Sequence, residues 1–142
     1  MGLRVKFLGT VFGLAFLVSG CATVPNETLP ENFDFGEPPE NYAEQTKAYF
    51  DLVLKDPASA KYSYVSDFIK VQCHTFVLRG SQRKLTFAGW ARQVAVNAKN
   101  SYGGYTGPKL YDVLFNKDGT LWNVLEDEYK FGLKGCEAYK AE

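Results

Sequence analysis

Residues 109–125 read KLYDVLFNKDGTLWNVL, and their pattern is that of a β-hairpin. Apolar and polar residues alternate on both sides of residues 116–119, whose Asn-Lys-Asp-Gly composition favours a tight turn. The apolar residues that share a face are Tyr111, Val113 and Phe115 on the first strand and Trp122 and Val124 on the second. The stretch therefore predicts two antiparallel strands, Lys109 to Phe115 and Leu121 to Leu125.

Upstream of this hairpin, the same alternation predicts further strands. They cover residues 61–64, 69–77 and 85–97, the last with a bend at Gly89. Because successive strand residues point to opposite faces, Cys73 is expected on the apolar face and His74 on the solvated one. The tail, residues 126–142, shows no clear pattern, although Cys136 is expected to fix it to the sheet.

An amphipathic helix is predicted over residues 40–55, before the first strand. Apolar residues and a threonine recur there at spacings of three and four, which gives one buried stripe: Tyr42, Thr46, Tyr49, Phe50 and Val53. Asp56-Pro57 ends the helix, and Asp56 can cap the short turn that follows. The predicted fold is α+β, an N-terminal helix packed on a four- to five-stranded antiparallel sheet, in a single domain of residues 40–142.

The first twenty residues have the features of an export signal. Arg4 and Lys6 precede twelve uncharged residues, 7–18, too few for a transmembrane helix. The sequence Val18-Ser19-Gly20-Cys21 then resembles the lipobox of bacterial lipoproteins. That resemblance implies removal of residues 1–20, a diacylglycerol thioether on Cys21 and acylation, with palmitate, of the new amino terminus. Ala22 in place of Asp implies the periplasmic face of the outer membrane.

Residues 21–39 are predicted to form an acidic, proline-rich tether. The stretch from residue 21 to 46 holds six acidic residues and no basic one, and four of the six prolines lie between residues 25 and 39. Such a composition favours an extended, solvated spacer. Phe33 and Phe35 interrupt it, and they either dock on the domain or form a short recognition motif.

Charge and cysteine content limit the function further. From Lys47 onward the chain has 14 basic and 10 acidic residues, too small an excess for a nucleic-acid surface. Cys73 and Cys136 remain after Cys21 is lipidated, and an exported compartment permits them to pair. We predict a disulfide between them; the alternative is two buried thiols.

The loop at residues 97–108 is the best candidate for a binding site. It reads NAKNSYGGYTGP, which is longer than a hairpin requires, and it combines flexible glycines with aromatic and amide side chains. The alternative is a loop whose asparagines bond its own backbone. The candidate binding residues are Asn97, Lys99, Asn100, Tyr102, Gly103, Gly104 and Tyr105.

Two motifs carry a family resemblance. LKDPASAKY at residues 54–62 and VNAKNSYGGYTG at residues 96–107 resemble a family of small, uncharacterised bacterial exported proteins and lipoproteins. Members of that family often carry a cysteine shortly before the second motif. This chain has residues 92–95, Arg-Gln-Val-Ala, at that place, so no pairing there carries over. The resemblance implies no activity.

Catalytic and metal-binding patterns are not apparent. His74 and Cys73 point to opposite faces and make a poor catalytic pair. The acidic run at residues 126–128 favours a solvated turn over a calcium site. Arg79, Arg83 and Lys84 favour a solvated tip over a contact to an anionic lipid or wall polymer. We therefore expect no enzyme activity, no cofactor and no metal. The predicted function is a lipid-anchored binding or structural module whose partner is an envelope protein or cell-wall glycan; the alternative is an inhibitor of a lysozyme-like hydrolase.

Overall fold

The computed structural model describes residues 26–76, 83–126 and 135–140. Over these ranges the chain forms one α-helix, one short 3-10 turn and six antiparallel strands in one sheet. The elements are α1 (Tyr42–Val53), the 3-10 turn (Pro57–Ser59), β1 (Lys61–Tyr64), β2 (Ile69–Phe76), β3 (Arg83–Asn97), β4 (Lys109–Phe115), β5 (Leu121–Glu126) and β6 (Cys136–Ala138). The predicted α+β class is confirmed.

The sheet differs from the prediction in strand number. The added strand is β6, which pairs with β2 and brings the number in the described residues to six instead of four or five. Strand β3 runs without interruption through Gly89. Gly89 lies so close to β4 that a Cβ atom there would overlap the carbonyl oxygen of Phe115 and the ring of Phe87.

A long β-ribbon is the central feature of the sheet. Both β1 and β2 pair with the same edge of β3, from Lys61 opposite Asn97 to Phe76 opposite Arg83. Residues 65–68 interrupt this edge, where the Ser66 hydroxyl accepts a hydrogen bond from the backbone N–H of Gln93 (2.9 Å). On its other edge β3 pairs with β4, and the sheet order is β5-β4-β3-β2-β6.

The main core lies between α1 and one face of this sheet. Phe50, 1% exposed, packs there on a buried apolar set from β3, β4 and β5: Val94, Val96, Val113, Phe115 and Val124. Thr46 is also buried, because its hydroxyl donates to the Tyr42 carbonyl (2.7 Å). The predicted helical stripe is therefore right except at Val53, which is 54% exposed. Leu54, in an extended conformation just past the helix, packs on the core in its place.

The opposite face of the sheet carries a second, smaller core. It contains Val71, Cys73, Phe87, Ala91 and Leu114. The predicted disulfide is present: Cys73 and Cys136 lie directly opposite each other in the β2–β6 ladder and are bonded. Strand register alone thus brings the two cysteines together, although 63 residues separate them in sequence.

The described part of the predicted tether packs on the sheet. Phe35 is 2% exposed, and its carbonyl accepts a hydrogen bond from the indole N–H of Trp90 (3.0 Å). Its ring also lies 4.9 Å from that of Tyr139, centroid to centroid. The docking of the phenylalanines is thus confirmed for Phe35.

Several predicted features lie outside the described residues. They are the leader at residues 1–20, Cys21, Arg79 and the carboxylates of Asp127 and Glu128. Within the ranges that are described, no helix combines the length and the hydropathy that a membrane span requires.

Candidate functional site

The candidate loop extends the ribbon beyond the end of β3. Lys99 and Tyr105 form one further antiparallel bridge, so the turn proper is residues 100–104. The backbone N–H of Asn100 donates to the Gly104 carbonyl (2.9 Å), and that of Gly103 donates to the Asn100 carbonyl (3.0 Å). Gly103 has a φ of +79°, which favours glycine. The loop is thus a compact turn with its own hydrogen bonds.

Asn100 is the residue that holds this turn together. Its side-chain oxygen accepts hydrogen bonds from the backbone N–H groups of Tyr102 (2.9 Å) and Gly104 (3.1 Å). For Asn100 the structure therefore agrees with the alternative in which an asparagine satisfies the backbone of its own loop.

The two tyrosines of the loop have different environments. Tyr102 is 97% exposed and stands at the tip. Tyr105 is 42% exposed, and its hydroxyl donates to the carbonyl of Ser59 (2.9 Å). The ring of Tyr105 is thereby fixed against the domain, whereas the ring of Tyr102 projects into solvent.

The 3-10 turn after α1 supports the loop. Asp56 caps this turn as predicted, since its side chain accepts a hydrogen bond from the N–H of Ser59 (3.3 Å). The Ser59 hydroxyl donates to the Asp56 carbonyl (2.8 Å) and accepts from the backbone N–H of Lys99 (2.9 Å). The two motifs quoted for the family resemblance, residues 54–62 and 96–107, are therefore joined through Ser59.

A cleft of about 210 Å³ lies between the end of α1 and the base of the loop. Its walls come from both motifs and from the start of β4: Val53, Leu54, Lys55, Val96, Ala98, Lys99, Asn100, Thr106, Gly107, Lys109 and Tyr111. Burial, and secondarily the charge of Glu126, raises the pKa of Tyr111, so its hydroxyl remains protonated at neutral pH. The cleft thus combines lysines, a neutral phenol and an apolar floor.

The seven predicted binding residues do not all reach this cleft. Lys99 and Asn100 line it, while Tyr102, Gly103 and Gly104 form the tip and Tyr105 lies beside Ser59. Asn97 closes β3 opposite Lys61, and its side-chain oxygen is buried with no hydrogen-bond partner in the described chain.

Sequence reasoning missed Lys55, Lys61 and Ser59 as members of this region. Lys61 places its ammonium 4.7 Å from the centroid of the Tyr105 ring, and Lys99 places its own at 5.7 Å. Both Lys55 and Lys61 belong to the first motif, in which no binding residue was predicted. The resemblance of the two motifs to one family was the available signal that they act together.

His74 is not the solvated strand histidine that alternation predicts. His74 is 7% exposed, and the register between β2 and β3 shifts at this point, between Cys73 and His74. Its Nδ1 lies 3.4 Å from a guanidinium nitrogen of Arg83 and 3.8 Å from a carboxylate oxygen of Glu137. The side chain is thereby enclosed by an ion pair that joins β3 to β6.

A second cavity, of about 360 Å³, lies against the opposite face of the sheet. Its walls are mainly apolar and include Ile69, Val71 and Ala91, and at its edge Asp112 accepts a hydrogen bond from Gln93 (3.4 Å). It shares no residue with the predicted binding loop. Residues 26–76, 83–126 and 135–140 contain no group of three His, Cys, Asp or Glu side chains arranged to hold a metal ion.

Comparison of the chain with models of protein families, with curated proteins and with solved structures finds no match. The family resemblance of residues 54–62 and 96–107 therefore stays a prediction.

Proposed function

We propose that this chain is a bacterial envelope lipoprotein whose folded part is a non-catalytic binding module. Residues 1–20 are removed, Cys21 carries the lipid, and the protein faces the periplasm from the outer membrane. Residues 21–39 connect the lipid to the domain of residues 40–142, and α1 is the first helix of the mature chain. The order of basic residues, apolar run, small residues and cysteine in residues 4–21 supports this proposal.

The observation that carries the proposal is the separation of the start of the described chain from the loop. The side-chain oxygen of Asn26 accepts a hydrogen bond from the N–H of Arg83 (2.9 Å), and the N–H of Glu27 donates to the Arg83 carbonyl (3.0 Å). The chain therefore meets the sheet at the first residue of β3, whereas the loop follows its last residue.

The length of β3 sets the scale of this separation. A strand of 15 residues is up to about 45 Å long, at roughly 3.3 Å per residue. Only residues 22–25 lie between Cys21 and Asn26, so a lipid on Cys21 would hold the Arg83 end near the bilayer. The loop would then be directed toward the periplasm, where envelope proteins and the wall glycan are found.

The loop has the physical properties of a recognition element. Its backbone is ordered by the Asn100 hydrogen bonds, so little conformational entropy is lost on binding. At its tip Tyr102 is almost fully exposed, and tyrosine supplies a large contact area with few rotatable bonds. A preformed turn that presents one aromatic side chain supports a binding role better than a purely structural one.

Lipid attachment has a direct test. Intact-mass measurement of the protein from the host membrane fraction is expected to show a chain that begins at Cys21 and carries acyl groups. Cys21→Ser should leave the protein out of that fraction, because the acyl chains that hold it are no longer attached. A mature chain with an unmodified Cys21 would contradict this part of the proposal.

The binding role is tested by substitution of the exposed tyrosine. Cross-linking in cells followed by capture should recover a partner, and Tyr102→Ala should reduce that recovery about tenfold, the effect expected when a well-packed aromatic contact is lost. Tyr102→Phe keeps the ring and should retain most recovery, and Lys117→Ala, at a distant exposed turn, should retain all of it. Equal recovery by wild type and Tyr102→Ala would remove the loop from the proposal.

A second candidate function is inhibition of a lysozyme-like hydrolase. The projecting turn with Tyr102 at its tip favours it, because such a turn can enter a cleft in an enzyme. Lysozyme that stays fully active in the presence of excess protein would dismiss this candidate.

A further inference from the structure

Two lysines share one aromatic ring beside the loop. The ammonium groups of Lys61 and Lys99 lie 4.7 Å and 5.7 Å from the centroid of the Tyr105 ring. At these distances a cation is attracted to the electron-rich face of the ring. The hydroxyl of Tyr105 is bonded to Ser59, so the ring provides a fixed support for both charges.

These lysines have no carboxylate partner in the described chain. The ion pairs found there join Lys47 to Asp51, His74 and Arg83 to Glu137, and Lys109 to Glu126. None of them involves Lys55, Lys61 or Lys99. A positive charge that lacks an anionic partner attracts a negatively charged ligand. The arrangement is therefore suited to a ligand that brings the missing negative charge.

The cleft provides a place for that charge. Lys55 and Lys99 line it, and within the described residues its wall contains no carboxylate. Thr106 adds a hydroxyl, and the neutral phenol of Tyr111 is available as a hydrogen-bond donor. Lys109, the third lysine of the wall, is held by Glu126 (2.7 Å), so the charge is concentrated on the other two.

The exposed tip lies next to this cleft. Asn100 lines the cleft and bonds the backbone of Tyr102, which connects the anion-binding wall to the projecting ring. A ligand that fits both features has an anionic group for the lysines and a flat, partly apolar face for the tyrosine. A sugar that carries a carboxylate-bearing substituent has both.

We propose that this cleft binds a carboxylate of the peptide stem of the cell-wall glycan, with Lys55 and Lys99 as its charge partners and Tyr102 against a neighbouring sugar ring. This inference rests on the proposed function, since it assumes a binding module in the envelope. The wall is favoured over lipid phosphate because the cleft lies at the end of β3 that is remote from Asn26.

The test is co-sedimentation of the purified full chain with isolated wall sacculi. The double variant Lys55→Gln/Lys99→Gln is expected to bind about tenfold more weakly, since two charge-assisted contacts are lost. The matched control is Lys117→Gln, which removes an exposed lysine at the β4–β5 turn and should bind like wild type. In a second arm, the stem carboxylates of the sacculi are converted to amides. The wild type should bind these sacculi about as weakly as the double variant binds intact sacculi.

Several results would overturn the inference. One is that the double variant binds sacculi as well as the wild type. Another is that the wild type binds intact and amidated sacculi equally. The third is that Lys117→Gln loses as much binding as the double variant. Vesicles of phosphatidylethanolamine and phosphatidylglycerol form a further arm, and lysine-dependent binding to them in place of sacculi would assign the cleft to lipid. An unchanged thermal midpoint shows that each variant is folded.

The outcome for the proposed function is separate. If sacculi do not bind while Tyr102→Ala still loses its cross-linked partner, the carboxylate site is wrong and the binding module stands.

Discussion

Replacement of Cys73 and Cys136 together with alanine is expected to lower the free energy of unfolding by about 4 kcal/mol. The disulfide joins residues 63 apart in sequence, and loss of that cross-link allows the unfolded chain many more conformations. In the folded state Cys73 is 3% exposed, so alanine avoids the cost of burying a hydroxyl. The measurement is urea unfolding followed by circular dichroism.

The local consequence is loss of β6 from the sheet edge. This strand is held by three residue pairs with β2 and by the hydrogen bond from the Tyr139 N–H to the Lys70 carbonyl (2.8 Å). Tyr139 in turn packs against Phe35, so the segment at residues 26–39 should also exchange its amide hydrogens faster.

Reduction of the wild-type protein is the control for this prediction. A thiol reductant should destabilise the wild type by a similar amount and leave the double alanine variant unchanged. The prediction is contradicted if the wild type is equally stable with and without reductant and no more stable than the variant. The disulfide would then not constrain the fold.

The sequence predicted those elements whose signals are local. The hairpin of residues 109–125 has strong alternation around an Asn-Lys-Asp-Gly turn, and Gly119 adopts the positive φ, +81°, that such a turn requires. Its face assignment was wrong at Trp122, whose ring stacks on Phe87 (4.2 Å between centroids) and not beside Val124. The stripe of α1 was readable for the same reason. Val53 was misassigned because the stripe gives no information on where the helix ends and Leu54 turns inward.

Elements that depend on distant partners were not predictable. Strand β6 has three residues with the charged Glu137 at its centre, and it is a strand only because β2 lies beside it. Asn26 and Glu27 have the composition of a spacer. Their side chains nevertheless accept hydrogen bonds from the backbone N–H groups of Arg83 and Leu85, which are distant in sequence. His74 was expected in solvent because alternation cannot foresee that Arg83 and Glu137 cover its side chain.

The candidate site shows the same division. The composition of residues 97–108 was enough to select the loop, including Tyr102 and Asn100. Lys99 was among the residues selected, whereas Lys55 and Lys61 come from the first motif, and the pairing of β1 with β3 brings Lys61 to the loop.

Phe50→Ala is expected to lower the free energy of unfolding by about 4 kcal/mol, the usual cost of truncating a buried phenylalanine. Phe50 is 1% exposed, and its ring lies 4.9 Å from that of Tyr111 and 5.9 Å from that of Tyr62, centroid to centroid. These contacts come from strands β4 and β1, so the truncated side chain leaves a cavity where the helix meets the sheet. Urea unfolding measures the change.

Leu52→Ala is the matched control, because Leu52 lies on the same helix and is 87% exposed. Its substitution should change the stability by less than about 0.5 kcal/mol. A similar loss in both variants would mean that α1 does not pack on the sheet through Phe50. Helix α1 ends at Val53, and the next residues line the cleft. At temperatures where the variant is still folded, Phe50→Ala should therefore also weaken binding to sacculi. Leu52→Ala should bind sacculi nearly as well as the wild type.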